Sequence, residues 1–505
     1  MMEGIYAGVH TALSGYNILM VALGAFAGTF IGMLPGLGPI SAIALMIPVT
    51  YGMDPASGLI LIAGVYYGAI FGGSTSSILI NAPGVAGTVA TAFDGYPLAK
   101  QGYAGKALAI AAYASFSGGT IAAVFLLFAA PALARVSLSF QSSDYFALMV
   151  LGLTAVAAFA GKGKFLKAAI MTILGLMLAT VGTDADSGVS RYTFGNMNLI
   201  DGISFLLLAM AAFALSEALM NVIENQQMTP EEEAALKKDI GSLKISKEEV
   251  KEMIPVIGRS SILGFFVGVL PGAGATIASF LAYGMERSLA SAREKLKFGK
   301  GSIRGLAAPE AANNAACSGS FVPLLTLGIP GSGTTAVILG ALISYGIQPG
   351  PTLYTEHPDL FWSVIISMYI GNIVLLILNL PLIPYIARLL TIPKNILIPL
   401  VIFFSLVGVY LVTFNTFDIF LMVLFSVVAV FLRLIDFPMA PMILGFILGG
   451  MMENNLRRAL TISDGSWSFL WERPITAGIL ALTILMLLFP LISQLLPAKI
   501  VEEDT

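Results

Sequence analysis

Long apolar stretches follow one another along the chain, with runs free of Asp, Glu, Lys and Arg at residues 4–53, 55–93, 107–134 and 360–387. A helix crosses the hydrocarbon of a bilayer in about 20 apolar residues, so each run is long enough to span. Apolar spans read at 16–50, 56–72, 105–134, 144–160, 165–182, 202–223, 256–285, 305–320, 360–387, 395–417, 418–432, 439–452 and 474–496. Gly and Pro interrupt several of them, and about 11–14 membrane segments are expected. Residues 1–15 have no basic n-region, and the apolar stretch runs on past a normal signal-peptide core, so the first segments themselves are expected to direct insertion.

The polar interruptions organise these spans. Glu224 to Glu252 carries eight acids and five bases, among them Glu231, Glu232, Glu233, Lys237, Lys238 and Asp239, and reads as a solvated helical linker. It divides the chain into a first transmembrane repeat at 1–223, a cytoplasmic linker at 224–255, a second repeat at 256–460, and a last helix with a short tail at 461–505. A second loop, 286–304, holds Arg287, Arg293, Lys295, Lys297, Lys300 and Arg304 against Glu286 and Glu294, a positive-inside signal that puts it in the cytoplasm. Lys162, Lys164 and Lys167 put 161–167 inside as well; Asp184, Asp186 and Asp201 put 184–201 outside.

The two halves resemble each other. Gly28 to Pro39 and Gly264 to Ala275 share the pattern G-x-F-[IV]-G-x-L-P-G-x-G at an offset of 236 residues. Further on, Asn81-Ala82-Pro83-Gly84 is matched by Gly328-Ile329-Pro330-Gly331, at an offset larger by 11, which the longer basic loop absorbs. Loop charges orient corresponding spans in opposite directions, so the expected fold is an all-α, polytopic transmembrane protein built from two inverted-topology repeats, a common plan of secondary transporters.

Composition narrows the function. The chain is 57% hydrophobic and 11% charged, with a mean hydropathy of +0.89, which excludes a soluble fold. A formal net charge of −3 with no dense basic tract argues against nucleic acid as a partner. Its one cysteine, Cys317, excludes an internal disulfide and a multi-cysteine metal site. His10 and His357 are too few for a metal centre, no H-E-x-x-H occurs, and Cys317 has no obvious base partner, so an enzyme is not expected and no cofactor is expected.

Candidate chemistry gathers at the helix breaks. Pro35-Gly36 with Gly38, Pro83-Gly84, Pro271-Gly272 with Gly274, and Pro330-Gly331 should expose helix ends within the membrane. Amides at such helix starts bind anions without Lys or Arg, and the core segments are read as having neither. Around the breaks stand Ser74, Thr75, Ser76 and Asn81, then Asn313, Asn314, Ser318 and Thr326, suited to a carboxylate or, through their oxygens, to sodium. The competing reading is that Gly and Ser only allow helices to pack closely. Glu310, in Pro309-Glu310-Ala311-Ala312-Asn313-Asn314, is read as an ion-coupling carboxyl or as the cap of a helix begun by Pro309, close to the interface. Asp94, in Asp94-Gly95-Tyr96-Pro97, is read as a turn residue, and Trp467 and Trp471 beside Arg473 as an interfacial anchor.

The motifs Gly32-Met-Leu-Pro-Gly-Leu-Gly38, Gly72-Gly-Ser-Thr-Ser-Ser-Ile-Leu-Ile-Asn-Ala-Pro-Gly84, Pro309-Glu-Ala-Ala-Asn-Asn-Ala315 and Pro323-Leu-Leu-Thr-Leu-Gly-Ile-Pro-Gly331 resemble the large membrane subunit of tripartite tricarboxylate transporters, the TctA-type family. The likeness covers nearly the whole chain and is weakest after about residue 390. It implies a cation-coupled importer of carboxylates such as citrate in the bacterial inner membrane, usually coupled to sodium, with protons as the alternative. The implied partners are a small four-helix membrane subunit and a periplasmic solute-binding protein; a homodimer is compatible with it. Carried over to this chain, the substrate-binding residues would be Ser74, Thr75, Ser76, Asn81, Gly84, Asn313, Asn314, Ser318, Thr326 and Gly331. Two other readings compete: a stand-alone carrier or channel, since Gly-rich broken helices also build selectivity filters, and a membrane enzyme, for which no nucleophile and base are in view.

Overall fold

The structure, a computed structural model, describes residues 2–34, 36–160, 163–184, 186–224, 240–392 and 394–495. Pro35, Lys162 and residues 225–239 of the expected linker, including Glu231, Glu232, Glu233, Lys237, Lys238 and Asp239, lie outside the described residues.

In chain order the main helices are α1 (Met2–Ala12), α2 (Gly15–Met33), α3 (Gly38–Thr50), α4 (Pro55–Ile80), α5 (Val89–Leu98), α6 (Ala104–Ser137), α7 (Ser142–Ala158), α8 (Phe165–Ala179) and α9 (Phe205–Glu224). The second half contains α10 (Lys247–Val269), α11 (Gly274–Leu289), α12 (Ile303–Gly319), α13 (Phe321–Leu327), α14 (Gly333–Ser344), α15 (Pro358–Asn379), α16 (Lys394–Thr413), α17 (Thr416–Leu434), α18 (Ala440–Ile462) and α19 (Pro474–Leu495). Among the described residues, eight helices are long and apolar enough to cross a membrane, and five further apolar helices are shorter. The protein is thus an all-α polytopic membrane protein; a two-stranded hairpin, β1 (Gly182–Thr183) with β2 (Ser190–Arg191), accompanies the helices.

Two sequence-read spans divide. The stretch 16–50 is α2 and α3, separated at the first Pro-Gly break, and 256–285 is α10 and α11, separated at its counterpart. Proline withdraws a donor, and Gly36 and Gly38 at φ +92° and +58°, like Gly272 and Gly274 at +80° and +64°, turn the chain where a side chain would strain it. Helix α10 starts at Lys247, inside the stretch read as linker, because Ser246 and Glu249 form a capping box there.

Glycine lets the helices approach to backbone contact. A Cβ on Gly24, Gly28 or Gly32 of α2 would strike the backbone of Leu61, Val65 or Ala69 of α4, and one on Gly68 or Gly72 would strike Ala25 or Thr29 in return. The same arrangement joins α10 to α12: Gly264 lies on Ala312, Gly268 on Ala316, and Gly319 on Phe265. Each contact of the second pair is one of the first pair moved by 236 residues on one helix and 247 on the other. With little hydrophobic drive between helices in lipid, close small-residue packing supplies the association. Helix α4 lies at the centre, buried from Ala56 to Ile80.

Around this centre, α9 packs on α16 and α17, while α18 packs on α7 and α8. At one end the loop read as cytoplasmic meets the loop between α17 and α18, through Lys164 to Asp436 at 2.7 Å and Lys167 to the Ile435 carbonyl at 2.8 Å. The β hairpin is tied to α18: the Asp184 carboxylate accepts from Arg457 at 2.6 Å, and Glu453 pairs with Arg191 at 2.9 Å and Arg457 at 2.6 Å. Amide donation from Ser187, then the Arg457 guanidinium and the Asp186 amide, hold the Asp184 carboxyl below the usual carboxylate range.

Two outcomes follow. Gly32→Val should lower stability by about 3 kcal/mol or more by forcing α2 off α4, whereas Gly258→Ala, with open space around it, should be neutral or slightly stabilising; thermal unfolding of the two purified variants compares them. Because the folded Asp184 carboxyl is held low, its contribution is present above the ordinary Asp range of about 3.9 and is lost as pH falls from there through the folded value. Amide exchange over residues 182–191, corrected for intrinsic rates, should therefore speed up on acidification below about pH 4, and Asp184→Asn should remove that dependence.

Candidate functional site

Two polar places lie within the apolar interior. The first surrounds Glu310, which stands in the middle of α12, fully buried. Ser74 of α4 donates to both carboxylate oxygens at 2.8 Å, Ser115 of α6 donates at 2.7 Å, and Thr91 of α5 also donates. None of these partners is basic. A void of about 10 Å³, the size of one water, is bordered by Ser74, Thr75, Ser115 and Asn379. Asn313 and Asn314 continue the same stripe of α12; both Asn313 amide atoms and Asn314 Oδ1 are buried without a hydrogen-bond partner, while Asn314 Nδ2 donates to the Glu310 carbonyl at 3.0 Å. Ser318, another turn on, is buried beside the Tyr67 hydroxyl. Carboxylate, hydroxyl and amide oxygens on one stripe are the ligand types of a hard cation.

The second place is a cavity of about 490 Å³ between the halves. The helix starts of α3 (Gly38 to Ser41) and α11 (Gly274 to Ile277) line it, and neither start has a side-chain cap. Their first-turn amides therefore lack a partner from their own helix and carry partial positive charge. Ser332, Gly333 and Thr334 bring the start of α14 to the same wall. Two charged residues line the cavity among those described, Glu217 of α9 and Arg433 of α17, ion-paired with each other. Helix α4 serves both places: Tyr66 and Ile70 line the cavity, and Ser74, one turn on, reaches Glu310.

The sequence-read residues distribute unevenly. Gly36, Gly38, Gly272 and Gly274 line the cavity. Ser74 and Thr75 belong to the Glu310 cluster, as do Asn313 and Asn314 by their stripe. Ser76 donates to the Gly73 carbonyl of its own helix at 3.2 Å, and Thr326 to the Val322 carbonyl at 2.7 Å. Asn81 is exposed and ends α4 in the left-handed region at φ 54°, returning its amide to the Ser76 carbonyl; Gly328 ends α13 at φ 68° in the same way on the Pro323 carbonyl. Gly84, after Pro83, packs on Gly32 and Gly73, and Gly331, after the buried Pro330, packs on Gly268 and Ser320. The Gly331 carbonyl accepts from the Gly272 amide, next to Pro271, at 3.0 Å, joining the two breaks of the second half.

Three expectations change. Glu310 is not a cap and is not at the protein surface, since Ser302 caps α12 and Glu310 lies two turns in, fully buried. Asp94 is not a turn residue: it sits buried within α5 and accepts the Gly301 and Ser302 amides at 2.9 and 2.7 Å, clasping the start of α12. The interior does contain a basic side chain at its cavity, Arg433. Glu217 and Arg433 carried a readable signal, each being one of two charged residues in a mostly apolar helix, with Glu224 and Asp418 as the others. Thr91 and Ser115 carried none, because a single hydroxyl in an apolar helix most often bonds its own backbone.

Comparison with known proteins agrees with this architecture. A family model described as "Tripartite tricarboxylate transporter TctA family" matches residues 18–444. An "Uncharacterized 52.8 kDa protein in TAR-I ttuC' 3'region" of Agrobacterium vitis is 42% identical over 507 aligned residues, covering 100% of this chain and 99% of the relative. An "Uncharacterized protein in TAR-II ttuC' 3'region" of the same organism is 43% identical over 244 residues, covering 48% of this chain and 100% of the relative. No solved structure matches. With its family motifs, two sets of recurring helix contacts and a membrane-spanning helical body, the chain belongs to the tripartite tricarboxylate transporter TctA family.

Proposed function

We propose that this chain is the large membrane subunit of a binding-protein-dependent importer of carboxylates, driven by symport of a cation, with sodium as the coupling ion, in a bacterial inner membrane. The observation that carries the reading is the cavity where two uncapped helix starts converge beside the ion pair of Arg433 and Glu217, so that first-turn amides face a space suited to an anion. A small membrane subunit and a periplasmic solute-binding protein complete the assembly, as the family membership implies.

The substrate carboxylate takes the free first-turn amides of α3 and α11, one from each half. Glu310 supplies the coupling. A bare carboxylate buried among hydroxyls costs several kcal/mol, so it binds a proton or a sodium ion whenever the site is closed. The three hydroxyl donors accommodate either state, since each can rotate to donate or accept. Helix α4 links the two events through Ile70 and Ser74, one turn apart, and the inverted halves supply the two arrangements that alternately open the site.

The test is uptake of labelled citrate, succinate and benzoate into proteoliposomes holding this chain and its small subunit, with and without the binding protein, under imposed sodium or proton gradients. Uptake requiring one cation gradient and the binding protein is expected. Flux indifferent to both would replace the reading with a stand-alone carrier or a channel. Glu310→Gln, nearly the shape of the protonated acid, should lower gradient-driven accumulation about tenfold or more while leaving substrate exchange across the membrane intact; wild-type accumulation would remove Glu310 from the coupling role. Asn81→Gly should leave uptake unchanged, since Gly328 fills the corresponding left-handed cap. A marked loss would give Asn81 a direct part in binding.

A further inference from the structure

Resting on the reading of the cavity as a carboxylate site, we propose that Arg433 is the fixed cation that receives a substrate carboxylate there, and that Glu217 is a built-in carboxylate that occupies Arg433 while the cavity is empty. The first observation is how Arg433 is held. Its Nη2 donates to the Ala212 carbonyl at 3.0 Å, its Nη1 is bound to Glu217 Oε2, and its Nε is buried with no acceptor. Guanidinium presents its donors as a rigid fork that a carboxylate fills with two parallel bonds. Glu217 takes one Nη donor and the Ala212 carbonyl the other, so Glu217 is held through one of its oxygens and Nε is left without an acceptor.

A structural ion pair in the same chain looks different. Glu286 is fully buried and bidentate to Arg259, Nε to Oε1 at 2.8 Å and Nη2 to Oε2 at 2.9 Å, with Arg304 at 2.6 Å on the second oxygen. Both donors of the Arg259 fork and both Glu286 oxygens are taken, and although Arg304 Nε is also buried without an acceptor, the carboxylate has no oxygen free to move to another partner. Glu217 instead turns its second oxygen, Oε1, to the break between α2 and α3, where a Cβ on Gly36 would lie 2.9 Å from it. One carboxylate thus lies between the two positive features of this wall, the guanidinium and the α3 start.

The backbone around Ala212 is the second observation. Residues Met210–Leu215 form a π-turn within α9, a device that shifts carbonyls out of the ordinary helical ladder and is frequent at functional sites. The Ala212 carbonyl takes Arg433 and the Ser216 hydroxyl, and the Phe213 carbonyl takes the hydroxyl of Ser41, in the first turn of α3. The π-turn therefore fixes Arg433 and the α3 start in relation to each other.

Energetically, the exchange is like for like. The guanidinium is already stripped of most of its water, with its side chain 22% exposed, so an arriving carboxylate that replaces Glu217 meets a cation whose desolvation is largely complete. A second substrate carboxylate then faces the α11 start. Glu217, displaced, retains the space that Gly36 leaves beside the break. The pair makes the empty cavity electrically neutral and lets a substrate with one or more carboxylates compete for one defined position.

The experiment measures binding of citrate, succinate and benzoate to the purified large and small subunits in lipid nanodiscs. Arg433→Gln should weaken binding of the acids that wild type binds by about tenfold or more, the value of a charge-assisted hydrogen bond, and Arg433→Lys should recover part of it. Glu217→Gln should tighten binding several-fold by removing the competitor, a change of sign that a damaged fold does not produce. The double exchange Glu217→Arg with Arg433→Glu should not restore wild-type binding. Wild-type affinity in Arg433→Gln, or weakening in Glu217→Gln with recovery in the double exchange, would reduce the pair to a structural bridge and overturn the proposal. If wild type binds none of the three acids, the carboxylate reading fails and this assignment with it; if wild type binds and only the variants disagree with expectation, the assignment alone falls.

Discussion

Backbone amides and carbonyls released inside a membrane need new partners, because lipid offers none. This chain releases them at its paired Pro-Gly breaks, and much of its architecture consists of the replacements. Asn81 and Gly328 adopt left-handed conformations that return their amides to Ser76 and Pro323. The Gly272 amide finds the Gly331 carbonyl, and Gly84 and Gly331 come close enough to Gly32 and Gly268 for the broken segments to pack without gaps. The starts of α3 and α11, which have no side-chain caps, open on the cavity. The same rule that constrains the fold thereby leaves a place for an anion.

Three glutamates of the interior are treated differently. Glu286 is closed off by two arginines at the loop end of α11 and belongs to the scaffold. Glu217 and Arg433 meet at the cavity through one carboxylate oxygen, with Arg433 Nε left without an acceptor. Glu310 has hydroxyls and no basic partner among its hydrogen bonds. Of these three carboxylates only Glu286 has both oxygens held by arginine, and Arg304 Nε, like Arg433 Nε, is left without an acceptor. A saturated pair costs several kcal/mol to break, while hydroxyl donors and a one-sided pair leave protonation, cation binding or exchange of carboxylates within reach of ordinary binding energies. Helix α4 runs past both of the unsaturated sites, and its complete burial and glycine-lined contact with α2 keep them in fixed relation.

The recurrence of contacts between the halves has a further consequence. Moving from one half to the other, the helix pairs, the glycine contacts and the end-cap geometry are kept, while the side chains diverge: Gly73 against Ser320, Asn81 against Gly328, and Ala63 of α4 against the Glu310 carboxyl of α12. Packing geometry is common to both halves; the ionisable group is confined to one, and the other receives it with Ser74.

Much of the fold was legible in the chain, because hydropathy, loop charge and Pro-Gly breaks are local signals of rules that operate locally in lipid. The segment positions, the four breaks and the resemblance of the two halves were all readable, and Gly36, Gly38, Gly272 and Gly274 line the cavity. Other readings depended on neighbours distant in sequence. Whether Glu310 capped its helix or stood buried turned on Ser74, Thr91 and Ser115, each on a different helix. Asn81, read as a ligand beside a Pro-Gly break, is also an exposed helix end, which its left-handed backbone angle decides and its sequence neighbours do not. Arg433, in the last turn of α17, and Glu217, within α9, lie 216 residues apart, and only the packing of α9 on α17 brings them together. Sequence by itself determined where helices start, stop and break, since those choices rest on each residue's own backbone and its solvent; tertiary structure decided which side chains share a cavity, since burial and partnership are properties of helices meeting.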